Sequence, residues 1–444
     1  MTTTPIEWLW AGAIATGLLL VLVALRAIGK WKKVDSEVLR KGMHVALGAS
    51  ALTYPWLFHS IAPAIVIAAL TLAVLLLLRY APSARAELGG VVHGVHRSSE
   101  GDLWFPVSVA AVFWLAAGNT VLYVVPVLTL TIADAFAALV GSRYGRMRYD
   151  TMEGDRKSAE GSIAFFLIAF FATHVPLLVF TAVGRTESLL IGLTFGFLVM
   201  LLEAVSWRGL DNLFIPVGGF FLLRSYLPLP ARALGIVLAM TIAMFSVVVL
   251  LRRRRTLSDG AALAAVLVGY LTWIAGGWRW IVPPLVFFVS YTVLWPRLEQ
   301  VRVRPHRLSA VLAVPGSALL WLALARTLGE TVAYFAYTLT LAANLGFVGV
   351  TWFRVVRPQV RARSVLPTST VVGWGALLMP YLLLEGLDAL PRTLVALPVL
   401  LVGAASFIAF VPRGKPDAGH DWTGQATIGL ATAALGALCV PLMQ

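Results

Sequence analysis

Runs of about 20 apolar residues, separated by short polar and basic stretches, recur from one end of the chain to the other. An α-helix needs about that length to cross the ~30 Å hydrocarbon core of a bilayer. The pattern predicts an all-α fold, a polytopic transmembrane helical protein with about sixteen spans. In the first half they lie near 8–27, 43–58, 61–78, 103–117, 120–141, 161–181, 187–205, 213–229 and 232–251. In the second half they lie near 259–275, 279–295, 309–326, 330–350, 368–385, 392–411 and 424–442. The runs at 43–58, 103–117 and 213–229 are short or broken by Pro and Gly, so they read as tilted or re-entrant, which is tolerated where backbone lines a cavity.

Composition agrees with this pattern. The chain is 59% hydrophobic and 13% charged, against about 25% charged in soluble domains. Met1–Trp8 contains Glu7 but no Lys or Arg, unlike the basic start of a secretory signal. The expectation is a retained first helix. A single cysteine, Cys439, excludes an internal disulfide and a cysteine metal cluster.

The net charge of +14 does not point to nucleic acid, because the basic residues are distributed as the positive-inside rule requires. Most fall in clusters at one end of alternate spans, including Arg26–Lys41, Arg143–Lys157, Arg252–Arg255 and Arg297–Arg307. The count puts both termini outside and the clusters in the cytoplasm. The excess of Arg over Lys, without organelle targeting, suggests a prokaryotic plasma membrane. The Arg252–Arg255 run is the natural seam between two membrane domains, 1–251 and 252–444.

With that orientation, four polar motifs of the first half meet on the inner face. They are Arg40-Lys41-x-x-His44, Glu100-Gly101-Asp102, the stretch from Asp134 to Glu160, and Glu203 with Asp211-Asn212. The Lys and Arg count set the orientation, so the convergence of the carboxylates and His44 is independent of it. Asp134 lies inside an apolar run, where an ionised carboxylate costs several kcal/mol and usually faces a polar cavity. Asp134 and Gly141 share a helical face, with Asp134 about 10 Å below the helix end. Gly141 and Gly145 allow close approach of backbone to phosphate. Arg143, Arg146 and Lys157 can neutralise phosphate charge. Ser158 and Glu160 open the next helix, whose free N–H groups favour anions. Together these are the parts needed to hold a nucleoside triphosphate with Mg²⁺.

Competing readings are plainer. The arginines alone fit a positive-inside loop, and the Arg40–His44 motif alone fits an interfacial anchor. Asp211-Asn212 alone is an ordinary turn or cap. His93-Gly94-Val95-His96 reads as a solvated loop rather than a metal site. A P-loop, a Gly-x-Ser-x-Gly elbow and a His-Glu-x-x-His motif are all absent from the sequence.

These motifs, in this order over roughly residues 35–220, resemble the polyprenol kinase family, which includes dolichol kinase and phytol kinase. The resemblance implies an integral membrane enzyme that transfers the γ-phosphate of CTP, or ATP, to an isoprenoid alcohol such as phytol, geranylgeraniol or a polyprenol. It implies Asp134, Lys157, Glu160, His44 and Asp211 as catalytic residues. Nucleotide would be held by Arg40, Lys41, Gly141, Arg143, Gly145, Arg146 and Ser158. Mg²⁺ would be held by Asp134, Glu160, Asp211 and Asn212. Membrane lipids are the remaining partners. The second half resembles the phytyl-phosphate kinase family in Leu257–Ala265, Gly276–Trp280 and Val365–Gly373. It departs from that family at Pro315-Gly316 and at Asn344-Leu345-Gly346, where an Asn-Gly and an Asp-Thr pair are expected. This implies a catalytically degenerate domain. The rival readings are a CTP-dependent nucleotidyl transferase making a CDP-lipid, although the Lys-Arg-x-x-x-x-Lys-Asp signature of phosphatidate cytidylyltransferases is missing, and a non-catalytic lipid transporter.

Overall fold

The computed structural model describes residues 3–34, 36–80, 100–151, 156–252, 257–294, 308–356, 359, 361–411 and 421–443. The His93–His96 motif and Arg253–Arg255 lie outside these residues. The chain folds as an all-α polytopic membrane protein. Among the described residues, ten helices are long and apolar enough to cross a membrane. The remaining helices over the expected spans, such as Gly101–Ala116, are shorter or less apolar.

Two compact units divide the chain, residues 1–242 and 243–444. The first contains α1 (Pro5–Lys32), α2 (Ser36–Leu52), α3 (Tyr54–Leu57), α4 (Ala62–Tyr80), α5 (Gly101–Ala116), α6 (Thr120–Leu128), α7 (Asp134–Tyr144), α8 (Ala159–Phe180), α9 (Arg185–Val205) and α10 (Asp211–Tyr226). The helix α11 (Ala231–Arg252) carries the chain onward. Apolar side chains surround most of these helices, as bilayer helices require. α1 begins with Pro5 in its first turn, and the Thr4 N–H donates to Glu7 Oε2 at 2.8 Å. Two-thirds of the most apolar window of α9 is buried, against 11% for α1. So α9 is the packed centre, and α1 presents residues such as Leu9, Leu20 and Val23 outward to lipid.

Two irregular features position the polar residues. A π turn, Thr129–Ala133, joins α6 to α7 within one 25-residue apolar span. Its Thr131 side chain occupies the space that a Cβ at Gly48 would take, so α2 approaches it closely. A short antiparallel hairpin, β1 (Arg148–Asp150) and β2 (Arg156–Ser158), follows α7 and sets Tyr149 opposite Lys157. Ser158 then caps α8 by accepting the Gly161 N–H at 3.1 Å.

The second unit continues with α12 (Asp259–Gly276), α13 (Trp278–Leu294), α14 (Leu308–Ala323), α15 (Ala325–Leu328), α16 (Glu330–Val356), α17 (Ala362–Glu385), α18 (Leu390–Phe410) and α19 (Trp422–Cys439). Its core forms around α16, 83% of whose most apolar window is buried. Two buried amide side chains of this core pair with each other. Asn344 donates to Thr340 O at 2.9 Å and accepts from Gln425 Nε2 at 3.0 Å. Arg279 pairs with Glu385.

Candidate active site

One face of α2 carries Lys41, His44 and Gly48, spaced three and four residues apart. This face meets the π turn and the start of α7. Lys41 Nζ lies 2.6 Å from Asp134 Oδ2. His44 Nε2 lies 3.1 Å from Leu130 O, within the π turn, and 3.5 Å from Asp134 Oδ2. Leu130 O can only accept, so Nε2 carries the ring proton. The His44 ring meets Phe105 of α5 edge-on, with centroids 5.0 Å apart. Arg40 adds a second positive charge felt by both His44 and Asp134. Lys41 and His44 are buried, and Asp134 is nearly so. The π turn supplies the local reason for this geometry. Its wider hydrogen-bond spacing lets a carbonyl take a side-chain partner, a common device at functional sites.

A second charged group stands around Lys157. Its Nζ lies 2.6 Å from Glu203 Oε1 and also donates to the Glu203 carbonyl. Asp211 is the next charge that Lys157 and Glu203 feel. Burial opposes the charge on Lys157, but Glu203 and then Asp211 outweigh it and hold the ammonium pKa above its ordinary value of 10.5. Glu203 also feels the charge of Asp134, so the two groups form one electrostatic neighbourhood.

The turn after Glu203 is tightly built. Arg208 and Gly209 both have positive φ, 52° and 82°. For Arg208 this is an uncommon, strained conformation. The Glu100 N–H donates to Arg208 O at 2.9 Å. Gly101 lies so close that an added Cβ would sit 2.6 Å from Asn212 Nδ2 and 3.1 Å from Gly209 Cα. Asn212 is buried, and its Oδ1 has no hydrogen-bond partner.

The other expected site residues have local roles. Glu160 accepts the Met147 N–H at 3.1 Å, which ties α8 to the segment before β1. Arg143 and Arg146 are exposed, with Arg143 over the Tyr144 ring and Arg146 near Glu160. Gly141, Gly145 and Gly161 let α7 and α8 pack tightly around Ser158. The structure thus brings together Arg40, Lys41, His44 and Asp134, and beside them Lys157, Glu203, Asp211 and Asn212. It leaves Glu160, Arg143 and Arg146 at the edge. The contact of Phe105, which follows the Glu100-Gly101-Asp102 motif, with His44 was not foreseen from the sequence, nor were Leu130 and the π turn. Pro126, inside α6 and removing a backbone donor, was the available signal.

Among the described residues, no three His, Cys, Asp or Glu side chains stand together as a metal cage. Mg²⁺ accompanying a triphosphate needs only one or two protein oxygens. The unpartnered Asn212 Oδ1 beside Asp211 fits that requirement.

A search with protein-family models found no match. No solved structure matches the chain. Among curated proteins, the chain is 30% identical over 214 residues to a phytol kinase of Synechocystis sp.. The match spans 48% of this chain and 88% of that relative. On this similarity, the chain belongs to the phytol kinase family over about half of its length.

Proposed function

We propose that this protein is a lipid-alcohol kinase, transferring the γ-phosphate of CTP or ATP to an isoprenoid alcohol at the cytoplasmic face of the membrane, with both termini outside. The observation that carries the reading is the buried Lys41–Asp134–His44 cluster beside the Lys157–Glu203–Asp211 group, in a chain similar to a phytol kinase. Phosphoryl transfer needs mainly positioning and charge neutralisation. Arg40, Lys41 and Lys157 supply fixed positive charge for the phosphates, and Arg143 and Arg146 supply exposed positive charge just before the hairpin. The alcohol oxygen attacks the γ-phosphorus as the bond to the β-phosphate oxygen breaks, and the hydroxyl proton passes to Asp134. Lys41 Nζ, 2.6 Å from Asp134 Oδ2, orients that carboxylate, and His44, its Nε2 held by Leu130 O, packs beside it. Mg²⁺ at Asp211 and Asn212 would neutralise charge on the triphosphate.

Residues 252–444 act in this reading as a membrane domain without its own phosphoryl transfer. Asn344, which stands where a related family carries an acidic residue, is spent on Thr340 and Gln425 within the core.

The test is incubation of purified protein with Mg²⁺, CTP or ATP labelled in the γ-phosphate, and prenols from phytol to long polyprenols. Label in the lipid phase supports the kinase reading and ranks donor and acceptor. Pyrophosphate release on adding phosphatidate, with no lipid label, would move the assignment to nucleotidyl transfer. No turnover and no nucleotide binding by folded protein would favour a transporter.

A further inference from the structure

Lysine is a point charge on a flexible four-carbon stem, so an ammonium that must meet one oxygen has to be aimed from its base. Lys157 stands in β2, whose one partner is β1. A lone two-stranded hairpin is marginal in water, and this one leans on α8. The Ala159 N–H donates to Met147 O at 2.8 Å, and Glu160 accepts the Met147 N–H. These bonds hold the hairpin where it begins.

A second attachment lies at Lys157 itself. Tyr149 is its partner across the hairpin, so both side chains leave the same face. Both are half-buried, whereas the exposed Asp150–Arg156 pair, at 3.2 Å, occupies the other face. The Tyr149 hydroxyl lies 2.7 Å from Ser162 Oγ. Ser162 gives its one proton to Ser158 O at 3.3 Å, so Tyr149 is the donor in the shorter bond. One hydroxyl of α8 therefore grips the residue opposite Lys157 and the residue after it. From that base, Lys157 Nζ reaches the carboxylate and the carbonyl of Glu203. An ammonium has three donors, so one is left for a phosphate oxygen.

Resting on the kinase reading, we propose that Tyr149 and Ser162 are positioning residues, a hydroxyl relay that aims the Lys157 ammonium at the transferring phosphate. Neither touches the nucleotide. Breaking the relay keeps the charge of Lys157 but loosens its stem. The long-range attraction for the triphosphate is retained, and the short contact made in the transition state is weakened.

The test measures kcat per nucleotide-binding site, so that misfolded protein does not count, together with KM for the nucleotide. Tyr149→Phe and Ser162→Ala should each lower kcat roughly tenfold, with KM within about twofold of wild type. The double variant should be no worse than either single one, because both break the same relay. Ser162→Thr keeps the hydroxyl and should restore wild-type kcat. Arg156→Gln, which breaks only the exposed pair on the other face, should leave kcat unchanged. A second readout needs no turnover. Acetylation of Lys157 by acetic anhydride in the nucleotide-free protein, followed by mass spectrometry, should be severalfold faster in Tyr149→Phe and Ser162→Ala but not in Ser162→Thr. Wild-type kcat and wild-type acetylation in folded Tyr149→Phe would overturn the relay and leave the kinase reading standing. A loss of nucleotide-binding sites that accounts for all the lost activity would reduce the relay to a structural tie and overturn the proposal. Faster acetylation in a wild-type background that transfers no phosphate from any donor would overturn the kinase reading and leave Tyr149 and Ser162 as the groups that hold Lys157.

Discussion

Removing one member of the Lys41–Asp134 pair should cost far more stability than removing both. At 2.6 Å and an effective dielectric constant near 20, the attraction is about 6 kcal/mol. Desolvation of two nearly buried charges offsets much of this, so the net contribution is small. Asp134→Leu alone leaves a buried ammonium without its counter-charge, and Lys41→Met alone leaves a buried carboxylate in the same condition. Each should lose about 3–5 kcal/mol. For a unit of this size, that corresponds to a fall of about 6–20 °C in unfolding temperature. The double variant leaves no orphaned charge and should recover most of the loss. Thermal unfolding in one detergent, with all four proteins side by side, measures the cycle. Lipid phosphorylation should be absent from all three variants, because apolar side chains replace the groups that hold phosphate and accept the proton. Single variants as stable as wild type would refute the burial argument. Full activity in the double variant would show the pair to be structural only.

The other expectations are smaller in scale. Because the folded pKa of Lys157 lies above 10.5, its contribution to stability is complete below pH 10.5 and is lost as pH rises through the folded value. The stability gap between wild type and Lys157→Met should therefore be constant near neutral pH and close in strongly alkaline solution, as followed by unfolding temperature against pH. Gly161→Ala places a Cβ 2.9 Å from Ala137 O and 3.0 Å from Ser158 Oγ. It should cost about 1–3 kcal/mol by overpacking, readable in denaturant unfolding. Asn212→Leu should raise the Mg²⁺ concentration for half-maximal activity by roughly tenfold or more, and a Mg²⁺ titration of initial rates checks it.

Much of this architecture was legible because a bilayer imposes a simple code. Apolar runs had to be helices, and the polar residues interrupting them had few places to go. Asp134 stood out because its burial is expensive. Lys41 and His44 could be placed on one helical face from spacing alone. Their convergence with Asp134 on one face was expected, but the direct contact depends on how closely α2 approaches the π turn at Gly48 and Thr131, which no spacing encodes. The pairing of Lys157 with Glu203 was hidden for a similar reason: a hairpin of three-residue strands, with no hydrophobic period of its own, aims the lysine. Glu160, Ser158 and the neighbouring glycines looked alike as phosphate-binding parts and as helix-start and packing parts. Sequence could not separate these roles, since the same small and polar residues serve both.

The central claim is most directly tested by running α-labelled and γ-labelled nucleotide in parallel, with a 20-carbon prenol, on wild type and Asp134→Asn. The account predicts that only γ-label enters the lipid, that nucleoside diphosphate is released in equal amount, and that Asp134→Asn abolishes both. Entry of α-label into lipid, or wild-type γ-transfer by Asp134→Asn, would contradict it.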